Sequence, residues 1–219
     1  MPAKVTSDLY KKDFFSFEQY INITRWVSYY HQISRSLAIV EQAERGEVCV
    51  VGLGDGIVPA VLRSYGVKVT TFDYSTDLSP DLVGDVRAIE SHFRANAFDL
   101  IICCQVLEHL EYSSFSVVLK QFARISPHVL LSLPCRDVKL FSGLLKIYKM
   151  TIRPKITVSR FWEHNFSHSQ HYWEIGVKGF SPNTIRADLE KHFIVEDEFT
   201  DSLNMYHKFY VLNRRNSVN

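Results

Sequence analysis

Apolar positions along the chain follow two different periods, and the change from one to the other marks out the architecture. Over residues 15–43, Ile21, Trp26, Ile33, Leu37 and Val40 fall at helical spacing, so one or two helices open the chain. From Glu47 onward, short apolar runs alternate with amphipathic stretches. Strands are predicted at 47–52, 67–73, 82–86, 98–104 and 128–133, with helices at 56–65, 87–95 and 114–125. This alternation predicts an α/β fold, a parallel sheet with helices on both faces and ligands at the carboxyl ends of its strands. The regular pattern stops between Pro134 and Phe180. It returns at Ser181-Pro-Asn-Thr, a helix-start signal for a segment ending near His192, and Phe193–Phe199 and Met205–Leu212 then read as a closing pair of strands.

The first strand runs into Gly52-Leu-Gly-Asp-Gly56. Glycines at 52, 54 and 56 clear side chains from a tight turn, and the helix after Gly56 directs its first amides at a polar ligand. About twenty residues after the first glycine, Asp73 ends the second strand, where a carboxylate accepts hydrogen bonds from ribose hydroxyls. An adenosine-containing ligand follows from that pair of features. Ile57 occupies the place of the third glycine in a dinucleotide fingerprint, which disfavours an NAD-linked oxidoreductase.

The spacing Gly52-x-Gly54-x-Gly56 instead resembles motif I of the class I S-adenosylmethionine (SAM) methyltransferases. Ser79-Pro-Asp-Leu-Val-Gly-Asp-Val86 is similar to that family's third strand, Ala97-Phe-Asp-Leu-Ile-Ile-Cys-Cys-Gln-Val-Leu-Glu-His-Leu110 to its fourth strand and loop, and His128–Pro134 to its fifth. Together these cover roughly residues 46–134 in the family's order. Arg25–Ile33 is similar to the N-terminal helix of a bacterial subgroup (methyltransferase type 11-like) acting on small molecules and surface glycans. The resemblance implies a Rossmann-like sheet with a C-terminal antiparallel hairpin, an N-terminal helical cap over 1–46, and a SAM-binding domain over 47–219. It places SAM on Gly52, Gly54, Gly56, Asp73, Tyr74, Asp85, Val86 and Gln105, with Asp85 at the adenine amino group and the Val86 amide at the ring. It also implies that the insertion 135–180 covers the acceptor. Val50 stands where the family usually carries Glu or Asp, so a SAM-fold binding or regulatory protein without turnover is the alternative to a methyltransferase.

At 219 residues and 46% hydrophobic, the chain is long enough for one domain with decoration. A net charge of +1 gives no overall drive toward nucleic acid, and the strand-four loop lacks the Asn/Asp-Pro-Pro-aromatic motif of amino-directed DNA enzymes. Cys49, Cys103, Cys104 and Cys135 sit in or beside apolar runs and read as buried small hydrophobes in a reducing compartment. With no run of about eighteen apolar residues and no signal-peptide core at the N-terminus, the expected location is the cytoplasm.

Methyl transfer needs acceptor and donor held at attack distance with water kept out. For a hydroxyl acceptor, His109 is the candidate general base, and a loop-ordering hydrogen bond is its competing role. Such a base would make turnover rise with pH near 6.5. His164, His168, His171, Tyr172 and Trp173 form the aromatic and histidine cluster of the insertion and are expected to line the acceptor site. The three histidines would share one face if helical, but the periodicity is weak and no metal is expected. Lys139, Lys146, Lys149, Arg153, Lys155 and Arg160, with no acid between Val138 and Trp162, read as an ordinary surface helix. An anionic or lipid-linked acceptor is the functional alternative for that stretch. The chemistry therefore points to transfer at an oxygen of a small-molecule or glycan acceptor.

Overall fold

The computed structural model describes residues 22–215, apart from 137, 143–144, 149, 153–154 and 159–169. His164 and His168 lie outside the described residues. The described residues open with α1 (Ile23–Val40), capped by Asn22, whose side chain accepts from the Arg25 amide. Then follow β1 (Glu47–Val51), α2 (Ile57–Ser64), β2 (Lys68–Asp73), β3 (Leu82–Val83), β4 (Leu100–Cys104), α3 (Phe115–Ile125) and β5 (His128–Pro134). Beyond the insertion come α4 (Pro182–Glu190), β10 (Phe193–Thr200) and β11 (His207–Arg214). Ser181 caps α4 by accepting from the Thr184 amide at 3.1 Å.

The seven-stranded sheet has the order β10-β11-β5-β4-β1-β2-β3. β3, β2, β1, β4 and β5 run parallel, whereas β11 joins β5 antiparallel and pairs with β10 as a hairpin. The strand order reverses between β1 and β4, with β2 and β3 added on one side of β1 and β4 and β5 on the other, which opens a crevice at the carboxyl ends of β1 and β4. Two apolar cores cover the two faces. On one, Tyr29 of α1 and Val58 and Leu62 of α2 pack with Val48, Val50 and Ile102. On the other, Val118 and Phe122 of α3 and Ile185 and Leu189 of α4 pack with Ile101 and Leu131. The central strands β1, β4 and β5 are buried on both faces, which explains why they read as apolar runs without alternation.

Two sequence expectations need correction. The strand expected at 82–86 ends at Val83, because the Gly84 amide turns to the Asp73 carbonyl and the Asp85 side chain caps the Arg87 amide. The helix expected at 87–95 is a 3-10 segment, Val86–Ser91, broken at Ala88. Buried Gln121 of α3 supplies the competitor: its carbonyl accepts from the Glu90 amide at 3.0 Å and its NH2 donates to the Arg87 carbonyl at 2.7 Å. With these backbone groups satisfied from outside, the regular helical ladder is not required.

The larger correction concerns the basic stretch after Pro134. It is not a surface helix but a set of four short strands, β6 (Val138–Ser142), β7 (Leu145–Ile147), β8 (Met150–Ile152) and β9 (Lys155–Val158). Ser142 pairs with Lys155 and Leu145 with Ile152, so β6–β9 and β7–β8 follow one antiparallel register. The result is a hairpin arm with Tyr148, at φ 53°, in its turn. Its β-branched residues Ile147, Thr151, Ile152, Ile156 and Thr157 favour this outcome over a helix.

Candidate functional site

At the crevice lies a cleft of about 650 Å³, lined by the glycine turn, the ends of β2 and β4, one face of α1, and residues from 170–171 and 206–207. The turn is built by backbone geometry that only glycine adopts readily: Gly52, Gly54 and Gly56 have φ of 82°, 57° and 77°. A Cβ at Gly52 would come within 2.3 Å of Val106 Cγ2, so the absence of a side chain is also what lets β1 and the β4 loop approach. Gly52 and Gly54 line the cleft. Gly56 is not among the lining residues; it caps α2 in the left-handed conformation.

Asp73 is buried at the cleft wall. One carboxylate oxygen accepts from the Leu53 amide at 2.7 Å and the other from the Ser75 amide at 2.9 Å. Those bonds clamp the glycine turn onto β2 and leave a further lone pair on each oxygen. Tyr74 lines the cleft beside it, half exposed, with its phenol pushed up to about 12 by burial and by the Asp73 charge. Asp85 and Val86 also line it. The Asp85 carboxylate is already held by the Arg87 guanidinium, whose hydrogen bonds keep it ionised below the usual carboxylate range. Gln105, in the left-handed region at φ 58°, lines the cleft with its NH2 donating to the Ser132 hydroxyl at 3.2 Å.

The sequence reading missed several cleft residues. Arg25, Tyr29 and Gln32 share one face of α1, four and three residues apart, and all three line the cleft. The Tyr29 hydroxyl donates to the Asp55 carboxylate, whose other oxygen accepts from the Ile57 amide at 3.1 Å. Asp55 therefore fastens α1 to the glycine turn. Only its place between two glycines hinted at this role. Val50, at the position usually acidic, lines the same cleft.

On the opposite wall the β4 loop meets residues 170–174. The Tyr172 amide donates to the Glu108 carbonyl at 2.8 Å, and the Trp173 indole to the Leu110 carbonyl at 3.1 Å. This joins His109 and His171, whose rings meet edge to face at 4.7 Å between centroids, and both line the cleft. His109 Nδ1 bonds to the Gln170 carbonyl at 3.2 Å. Burial, with the neighbouring His171, lowers His109 to about 4. The imidazole is thus neutral at physiological pH but a weaker base than the sequence suggested, and turnover is not expected to rise through 6.5 on its account. His171 Nδ1 bonds to Glu174 at 2.7 Å. Glu174 is fully buried, which pushes it up, but bonds from His171, Arg136 and Tyr206 prevail and hold it at about 2.

Two expected acceptor residues lie elsewhere. Trp173 is fully buried against Tyr112, Phe115 and Phe180 and belongs to the core, where its large apolar surface is better satisfied than at a wet cleft. Tyr172 is part-exposed and is not among the residues lining the cleft. Cys49, Cys103 and Cys104 are free thiols, and burial pushes all three up, the last to about 12.

The fold recurs in enzymes of one chemistry. Magnesium protoporphyrin IX methyltransferase from Synechocystis PCC 6803, solved with S-adenosylhomocysteine, superposes with a TM-score of 0.61 at 14% identity, over 94% of this chain and 96% of that one. The 1,6-didemethyltoxoflavin N1-methyltransferase of Burkholderia thailandensis gives 0.58 at 14% identity, covering 94% and 87%. The N-methyltransferase NodS of Bradyrhizobium japonicum WM9 gives 0.57 at 12% identity, covering 91% and 92%. No curated protein sequence matches the chain. These identities establish the shared fold; the family follows from sequence, since residues 23–190 match the methyltransferase domain family, and the chain belongs to it.

Proposed function

We propose that this methyltransferase uses SAM to methylate a small-molecule or glycan acceptor, at an oxygen atom, within the cleft. The observation that carries the reading is the joining, in one cleft, of a glycine turn and Asp73 on one wall with His109 and His171 on the other. Adenosine would lie along Gly52 and Gly54 with its ribose on Asp73 and its base near Asp85 and Val86. Arg25 and Gln32 would meet the methionine carboxylate, and Asp55, in place of an acid at Val50, would balance the cationic end. His109, Gln170 and His171 would then face the methyl group and the acceptor. The toxoflavin-precursor, NodS and protoporphyrin enzymes, whose structures hold S-adenosylhomocysteine, support the cofactor assignment. His109, at the cleft wall, would stand beside the acceptor hydroxyl and help to position it.

The decisive experiment is calorimetry with SAM and S-adenosylhomocysteine. Asp73→Ala removes charge-assisted hydrogen bonds of about 1.5–3 kcal/mol, so affinity is expected to fall roughly ten- to hundredfold. An unchanged dissociation constant in the folded variant refutes this placement of the ribose. Val50 is the feature that favours a binding or regulatory protein without turnover. Cofactor binding with no product across an acceptor screen would select that reading.

The hairpin arm supports an anionic, lipid-linked acceptor. It leaves β5 beside the cleft and its chain returns at Gln170. Phe141 pairs with Ile156 and Ile147 with Met150, yet these four side chains, with Ile152 and Tyr148, are 41–87% exposed. Lys146 is exposed on the same arm, and the sequence from Val138 to Trp162 carries six cations and no acid. The combination suits the interface of an anionic bilayer. It does not suit a second arm, whose like charges would repel. No helix of the described residues is long and apolar enough to cross a membrane; the arm itself would make the attachment, at the cytoplasmic face in this reading. The chain is expected to co-sediment with phosphatidylglycerol vesicles and not with phosphatidylcholine ones. Lys146→Gln should weaken that binding about fivefold. Equal binding to both vesicle types, or to neither, overturns the idea.

A further inference from the structure

Beside the proposed acceptor position lies a group that methyl transfer alone does not explain. Glu108 is fully buried, and neither oxygen of its carboxylate has a hydrogen-bond partner among the described residues. An unpaired carboxylate in such a place is costly unless it is protonated or compensated by a cation. Its surroundings offer a way to compensate it. Ligand atoms of Glu108, His109 and His171 all lie within 4.8 Å of one another, and the two histidines line the cleft. A first-row ion about 2.1 Å from each ligand would draw them somewhat closer together.

The hydrogen bonds also fix the tautomer of both imidazoles. The Gln170 carbonyl at His109 Nδ1 can only accept, so Nδ1 carries the proton and the lone pair falls on Nε2. The Glu174 carboxylate does the same for His171, and Glu174 is itself fixed by Arg136 and by the Tyr206 hydroxyl at 2.9 Å. A carboxylate or carbonyl behind each ligating histidine is the usual outer support of a metal site. The ligands come from two loops brought together by the Tyr172–Glu108 backbone bond, which explains why no spacing in the sequence announced them.

We propose that Glu108, His109 and His171 form a divalent-cation site on the cleft wall, with its remaining coordination positions open to the cleft. Two imidazoles and one carboxylate favour a borderline ion such as Mn²⁺, Fe²⁺, Co²⁺ or Zn²⁺ over Mg²⁺ or Ca²⁺, which prefer oxygen ligands. Binding of the ion stands apart from the methyl-transfer reading; only its task depends on that reading. There it would hold the acceptor hydroxyl and acidify it. The proton would leave to solvent and the oxygen would take the methyl group. The O–C bond forms as the C–S bond breaks, and neutral S-adenosylhomocysteine departs.

The test uses metal-stripped protein titrated with Co²⁺, read by calorimetry and by the visible d–d bands of the bound ion. The parent is expected to bind one equivalent with a spectrum of mixed nitrogen and oxygen ligation, and Glu108→Gln and His171→Ala should each weaken binding at least about a hundredfold. Thermal stabilisation by Co²⁺ should vanish in Glu108→Gln, an isosteric change chosen to keep the fold. Failure of the parent to bind, or variants that bind as tightly as the parent, overturns the site. S-adenosylhomocysteine titrated into the same samples separates the two claims. Cofactor binding without Co²⁺ binding removes the metal site alone, whereas Co²⁺ binding without cofactor binding removes only the SAM reading.

Discussion

Gly52→Ala is expected to destabilise the protein by about 2–5 kcal/mol and to abolish measurable cofactor binding. Two separable costs make up that figure. An L-residue at φ 82° carries roughly 1–2 kcal/mol of backbone strain, and the new methyl, 2.3 Å from Val106 Cγ2, adds about 1–3 kcal/mol of overpacking. A double-mutant cycle with Val106→Ala should recover the packing share and leave the strain. Urea unfolding of the four proteins measures both. A single variant within about 0.5 kcal/mol of the parent would mean that the turn tolerates a side chain and that its glycines are not what shapes the cleft.

Acid should destabilise the fold through His207. This imidazole is buried at the junction of β11 and α1, within 2.7 Å of the Ser28 hydroxyl, and Arg25 and His171 also act on it. Burial first, then these two neighbours, lower it to about 3. In the folded chain it therefore stays neutral, while in the unfolded chain it takes up a proton near 6.5. Between those values the unfolded state binds more protons. Stability is fully present above 6.5 and falls as pH drops toward 3, by about 1.4 kcal/mol per pH unit. From pH 7 to 5 the loss is expected to be about 2 kcal/mol from this group. His109 and His192 are lowered as well, so the informative quantity is the difference between the parent and His207→Gln. If that variant shows the same acid slope in urea titrations at the two pH values, His207 is not the group responsible.

The parts of this protein visible in its sequence are those determined by local backbone demands and by burial on both faces of a sheet. β1, β4 and β5 are largely continuous apolar runs because helices cover both their faces, and such runs need no partner to be recognised. Gly52, Gly54 and Asp73 were legible because a left-handed turn and a strand-end carboxylate impose a residue type at a fixed spacing. Other features were decided by partners distant in the chain. Gln121 turned an expected helix into a 3-10 segment by taking its backbone bonds from 31 and 34 residues away. Cross-strand pairing made the basic stretch a hairpin arm, although its charge pattern suits a surface helix equally well. Trp173 went to the core and His171 to the cleft although they are two residues apart, because one hydrogen bond to Leu110 and another to Glu174 orient them differently. The basicity of His109 and the loneliness of Glu108 arise from burial beneath a segment more than sixty residues away, and only tertiary contact sets desolvation.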